Sequence, residues 1–287
     1  MKEMKEAIKK SGILIEALPY IKEFFEKIVV IKYGGSAVEE KGIDSGILQD
    51  IVFMNYAGMR PVLVHGGGAM ISRAMKKAGK EPKFVMGFRV TDRETVSIID
   101  TVLKSLNRMI VKKVREIGGK AFGLSGKEND MVRVRKLKTD LDLGFVGETT
   151  SIDTTVLKRL IEADIIPVIY PMGIGRDGNL YNVNADDVAS KVAVALKAEK
   201  FVLLTNVRGI LHDRKDPDSI YQTVSVDEIK GLIRKGVVGG GMIPKADACA
   251  KAVKGGVKKA HILDASIPHA LLLEMFTDKG IGTEIVR

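Results

Sequence analysis

Short apolar runs alternate with longer amphipathic stretches along most of this chain. The runs Ile28–Tyr33, Val62–His65, Ala121–Leu124, Ile165–Tyr170, Phe201–Thr205 and Ala260–Leu263 are apolar at most positions rather than at every second one. Strands of that kind are buried on both faces. Between them, helical periodicity marks 45–58, 68–78, 92–116, 153–163, 186–197, 226–235, 243–255 and 268–277. Such alternation predicts a mostly parallel sheet with helices on both sides. Residues 3–27 read as one more helix, with Ile8, Ile15, Leu18, Ile21 and Phe25 as an apolar stripe among Lys and Glu. Pro19 inside it is expected to bend or interrupt it. The segment 131–152 departs from the pattern: Met131–Leu137 alternates and Gly144–Ile152 is rich in Thr and Gly, which predicts a β-hairpin excursion. With no internal repeat and no low-complexity linker, two tightly joined lobes of one α/β unit fit better than separable domains.

Composition narrows the function classes. The 287 residues are 45% hydrophobic and 29% charged, ordinary values for a globular enzyme. No apolar run approaches the roughly 18 uncharged residues of a membrane span. The first 27 residues mix Lys with Glu and show no apolar stretch followed by a small-residue cleavage site, so a cytoplasmic protein is expected. The lone Cys249 rules out an intramolecular disulfide and reads as a buried small side chain. The net charge of +10 is spread along the chain without a lysine tract, and aromatic residues are few, which argues against nucleic acid as a partner. A basic balance instead suits anionic ligands.

Two glycine patterns mislead. Gly173-Ile-Gly175-Arg-Asp-Gly178 matches a dinucleotide fingerprint, but turn residues follow it where a helix should open. Gly126-Lys127 lacks the rest of a P-loop. The histidines His65, His212, His261 and His269 show no metal-ligand spacing, so no zinc site is expected. Three other clusters fall where a parallel sheet holds its ligands, beyond strand C-termini. They are Lys32-Tyr-Gly34-Gly35-Ser36, His65-Gly66-Gly67-Gly68 and Gly239-Gly240-Gly241-Met242-Ile-Pro-Lys245. Bare glycines let backbone N–H groups approach a phosphate, and nearby lysines add charge. Gly87-Phe-Arg89-Val-Thr91-Asp92 places an arginine, suited to bidentate carboxylate binding, just before a helix cap. Asn182-Val-Asn184-Ala-Asp186-Asp187 carries more polar residues than a cap needs.

In this order the five motifs resemble the amino-acid kinase family, from about Ile28 to Arg287. The resemblance implies an α/β fold, a three-layer αβα sandwich with a mainly parallel open sheet in two lobes plus an N-terminal kinked helix. It implies an oligomerisation helix at 1–27, an acyl-amino-acid lobe at 28–195 and an ATP lobe at 196–287. The activity implied is transfer of the ATP γ-phosphoryl group, with Mg²⁺, to the side-chain carboxylate of N-acetyl-L-glutamate. By motif, Lys32 and Lys245 would neutralise the transferring group from opposite sides while Asp186 holds both. Gly34 and Gly35 would donate N–H groups to phosphate oxygens. Gly67, Gly68, Arg89 and Asn182 would bind the acyl-amino acid. Thr205, Asn206, Gly209, Gly240, Gly241 and Met242 would bind nucleotide, with Asn206 standing where the family more usually has Asp.

The N-terminal helix and the run His269 to Thr283 also resemble the arginine-sensitive branch of the family. That likeness implies feedback inhibition by L-arginine through Tyr20, Lys200, His269, Glu274, Gly280 and Gly282, and a hexamer built as a trimer of dimers. Two rivals stand beside it: a kinase acting on another acid (carrier-linked α-aminoadipate, aspartate or glutamate), and a non-catalytic arginine sensor. A pure sensor has no use for two charged lysines. A carboxylate acceptor is ionised at neutral pH and needs no general base, which agrees with the absence of a plausible catalytic His or Cys.

Overall fold

A computed structural model describes residues 2–34, 43–213, 215–216, 218–277 and 280–287. The chain begins with α1 (Lys2–Glu16), α2 (Leu18–Phe24), β1 (Ile28–Tyr33), α3 (Ser45–Tyr56), β2 (Arg60–His65) and α4 (Gly68–Lys77). There follow β3 (Phe84–Val85), β4 (Phe88–Arg89), α5 (Arg93–Glu116), β5 (Ala121–Ser125), β6 (Val132–Lys136), β7 (Val146–Ile152) and α6 (Thr155–Glu162). Next come β8 (Ile166–Tyr170), β9 (Met172–Gly175), β10 (Leu180–Val183), α7 (Ala185–Ala195) and β11 (Lys200–Thr205). The last are β12 (Thr223–Ser225), α8 (Val226–Arg234), α9 (Met242–Lys254), β13 (Lys259–Asp264), α10 (Ala270–Phe276) and β14 (Thr283–Val286). Every strand and helix expected from the apolar pattern is present within a few residues of its expected bounds. The added β3, β4, β12 and β14 run only two to four residues, too short to show a period.

Eight strands form one sheet in the order β12-β14-β13-β11-β1-β2-β8-β5. All neighbours are parallel except β13 and β14. The four strands β6, β7, β9 and β10 close into a small barrel. Within it β6 and β7 pair antiparallel, the hairpin expected over 131–152. The pair β9 and β10 is also antiparallel, so Gly173 to Gly178 is a hairpin turn and not a dinucleotide loop.

Side chains alternate across β1 and so feed two cores. Val29, Ile31 and Tyr33 pack with Ile47 and Ile51 of α3, Ile110 of α5 and Leu271 of α10. Val30 points the other way, among Val188 and Val192 of α7 and Cys249 of α9. The same period sends Lys32 to the α7 side. That direction decides which carboxylate it meets.

Pro19 lies in the first turn of α2 and the helix is interrupted before it, as expected for a residue with no N–H to give. The apolar stripe of this segment is largely uncovered within one chain: Ile8 is 64% exposed and Ile15 69%. Only Phe24 of α2 enters the core. Among the described residues no helix is long and apolar enough to cross a membrane.

Candidate active site

Lys32 ends the centre of the sheet, Asp186 stands in the first turn of α7, and Lys245 stands in the first turn of α9. Their charged groups converge. Lys32 Nζ is 2.9 Å from Asp186 Oδ1, and Lys245 Nζ donates to Oδ2 at 3.1 Å. Asn184 makes the geometry possible by capping α7, its Oδ1 accepting from the Asp186 and Asp187 N–H groups. The cap frees the Asp186 carboxylate to turn away from its own helix. Burial alone would raise the pKa of Asp186, but the adjacent Lys32 and Lys245 charges overcome it and hold the group at about 2. One carboxylate against two ammonium groups leaves a net positive charge, suited to a phosphoryl group.

Two cavities are each lined by members of this triad. A cleft of about 380 Å³ is lined by Lys32, Gly67, Gly68, Arg89, Asn182 and Asp186, with apolar Ile71 and Leu103 in its walls. A second cavity of about 400 Å³ is lined by Asn206, Gly209, Gly239, Gly241, Met242 and Lys245. Another cavity, about 720 Å³, lies apart from all the motifs, between α5 and the edge strand β5. Chemistry belongs where the charges converge, so size does not decide here.

The glycines answer to close approach. A Cβ on Gly34 would come within 2.8 Å of Lys32 Nζ, so a side chain there would push the ammonium out of place. A Cβ on Gly67 would meet Leu103 Cδ2 at 2.9 Å. Gly67 precedes α4 and no side chain caps that helix, which leaves its first N–H groups for an anion. Gly35 lies outside the described residues. Gly209 has φ of +152° and its Cβ would strike Thr283 Oγ1, so only glycine fits.

Other expected residues are placed less directly. Arg89 is buried in the cleft wall, donating to Gly68 O and Ser72 Oγ at 2.9 Å each and lying over the Phe84 ring. Asn182 donates to Thr91 Oγ1 at 3.3 Å, and Asp92 rather than Thr91 caps α5. Thr205 turns its hydroxyl onto residue 207, binding both Val207 N and Val207 O, and is not in the cavity lining. Gly240, at φ +54°, is likewise outside that lining.

The expected effector residues gather only in part. Lys200 lies over the Phe24 ring, and burial lowers its pKa while Glu274 works against that shift. A Cβ on Gly280 would lie 3.8 Å from Glu274 Oε2, and Tyr20 packs edge-on against Phe276. Gly282 is packed against Ile262 O, where a Cβ would come within 2.1 Å. His269 instead points to α3, its Nδ1 2.6 Å from Asp50 Oδ1.

The partners of two buried histidines escape the sequence reading. His261 on β13 pairs through Nδ1 with Glu274 Oε1 at 2.8 Å. His65 contacts Asn107 of α5 through Nε2 at 3.1 Å. Neither pair is close in sequence, and neither fits a metal-ligand spacing, so only the folded chain reveals them.

Known proteins resemble this chain over nearly its whole length. The amino acid kinase family matches residues 27–264. A protein of Moorella thermoacetica named acetylglutamate kinase is 47% identical over 289 residues, covering 97% of this chain and 98% of its own. The solved N-acetylglutamate synthase of Neisseria gonorrhoeae, complexed with coenzyme A and N-acetyl-glutamate, shares the fold at a TM-score of 0.85 and 25% identity. It covers 96% of this chain, which spans 63% of that longer one. The same synthase complexed with coenzyme A and L-arginine matches at a TM-score of 0.80 and 25% identity, over 96% of this chain and 65% of that one. The family match encloses every residue from the Lys32 glycine loop to the Lys245 helix, and this chain belongs to the amino acid kinase family.

Proposed function

We propose that this protein is a cytoplasmic enzyme that transfers the ATP γ-phosphoryl group to the side-chain carboxylate of N-acetyl-L-glutamate, giving N-acetyl-L-glutamyl 5-phosphate. One observation carries the reading: Lys32 on the first cavity and Lys245 on the second share one buried carboxylate, Asp186. A group passing between the cavities would pass between the two ammonium groups. The 28–195 part then holds the acyl-amino acid, with Arg89 taking its α-carboxylate, and the 196–287 part holds the nucleotide. The name of the Moorella relative supports acetylglutamate as acceptor.

The chemistry is alignment and charge. The acceptor carboxylate is already ionised, so no side chain has to remove a proton. Lys32, Lys245 and the N–H groups of Gly34 and Gly35 would face the charge spread over the transferring oxygens, while Gly67 and Gly68 would hold the acyl-amino acid. Among the described residues no group of three His, Cys, Asp or Glu could hold a metal by itself. Mg²⁺ would come in with the ATP phosphates and screen their charge. Acetylglutamate-dependent ADP release tests the proposal, with hydroxamate trapping of the acyl phosphate. Turnover should be strong with acetylglutamate and weak with glutamate, aspartate or α-aminoadipate; ATP consumption with none of them would refute it.

Feedback inhibition by L-arginine at Tyr20, Lys200, His269, Glu274, Gly280 and Gly282 belongs to the same proposal, with Glu274 facing the guanidinium. The arginine-bound synthase of the same fold supports it. The uncovered stripe on α1 supports a hexamer, a trimer of dimers interlaced through these helices, since Ile8 and Ile15 are otherwise left in water. The double variant Ile8→Glu/Ile15→Glu should sediment as dimers where the native chain sediments as hexamers. Equal sedimentation of both would remove the interlacing role.

A further inference from the structure

We propose that His65 is a positioning residue: its imidazole fixes the peptide between Gly66 and Gly67 so that the Gly67 N–H faces the cleft, and Asn107 fixes the imidazole. The inference rests on the kinase reading and adds residues outside the motif roles. His65 is fully buried at the end of β2, with Nδ1 2.9 Å from Gly66 O. A carbonyl oxygen only accepts, so Nδ1 carries the proton. Nε2 lies 3.1 Å from Asn107 Nδ2, and the same amide nitrogen donates to Val168 O at 2.9 Å. Turning that amide over would set Oδ1 against a carbonyl, so Nδ2 must face both partners and Nε2 must accept.

Room for the amide is built into the neighbouring strand. A Cβ at Gly123 of β5 would come within 2.1 Å of Asn107 Oδ1. Burial, partly offset by the Gly66 bond, lowers His65 to a pKa of about 4, so the ring is neutral at working pH and supplies no charge. Its effect is directional. In a trans peptide the C=O and the following N–H point to opposite sides. With Gly66 O drawn to the imidazole, the Gly67 N–H turns away from it, on the peptide edge that joins Gly67, Gly68 and Lys32 along the cleft. Among the described residues no acceptor takes that N–H.

Two substitutions separate direction from packing. His65→Leu fills the apolar space but removes the donor, whereas His65→Asn keeps an N–H near the place of Nδ1 and packs less well. The expected result is a kcat about tenfold to a hundredfold lower for His65→Leu, with most of the loss recovered in His65→Asn. A wild-type kcat in His65→Leu, or an Asn variant worse than Leu, would overturn the role. Should His65→Leu not fold, ¹⁵N NMR of the native chain decides, with the His65 signals assigned by their loss in His65→Asn. The Nδ1–H tautomer is expected, and becomes mixed in Asn107→Leu; the Nε2–H form in the native chain refutes the inference. Absence of any kinase turnover in the native chain would sink the kinase reading instead, and leaves the tautomer result to be read on its own.

Discussion

Lys32→Ala and Lys245→Ala will each lower kcat at least about a hundredfold, a loss of roughly 3–4 kcal/mol in the transition state, as for other deleted charge contacts to a reacting oxygen. Folding should change far less. Each variant still leaves Asp186 one ammonium partner, so no buried charge stands alone. The position of each lysine predicts a difference between them. Lys32 faces the cleft lined by Arg89 and Asn182, so its loss should also raise the KM for the acyl-amino acid. Lys245 faces the other cavity, so its loss should raise the KM for ATP. Steady-state kinetics with both substrates varied would check this. Unchanged kcat in both variants refutes the site.

Asp186→Asn is expected to harm both activity and stability. The amide would leave two ammonium groups close together in a buried space, with one of them facing an NH₂ group. Removing one member of a buried charge cluster costs about 3–5 kcal/mol, and kcat should fall at least as far as in either lysine variant. The pH dependence gives a second readout. The folded pKa of Asp186 is about 2 against an ordinary value of 3.8, so the unfolded chain takes up its proton first on acidification. The stabilisation linked to this group, about 2 kcal/mol, is complete above about pH 4 and disappears as the pH falls through about 2. Urea unfolding across that range should show an acid limb in the native chain that is shallower in Asp186→Asn. Identical acid limbs would mean that the carboxylate is not held by the two lysines.

Much of the fold was legible because buried parallel strands are apolar on both faces. Ile28–Tyr33 appears in the structure with the same bounds, and the turn chemistry after Gly175 correctly marked a hairpin. The closure of β6, β7, β9 and β10 into a barrel was not legible. It depends on β10 joining β7 and β6 joining β9, pairings between segments with no local signal. In the candidate site, motifs marked Lys32, Asp186 and Lys245, but no spacing shows that they meet; strand alternation at β1 and the Asn184 cap bring them together. Thr205 illustrates the reverse. It stands at a strand end like a ligand residue, yet its hydroxyl is used by the backbone two residues on.

The central strand has a mechanical consequence. β1 is bonded along its length to β2 on one side and to β11 on the other, so the two halves of the molecule are stitched through one continuous ladder. Relative movement of the halves must be taken up as a change of twist between neighbouring strands. A chain divided between Ala195 and Lys200 would expose two raw sheet edges, each ready to stick to whatever strand it meets.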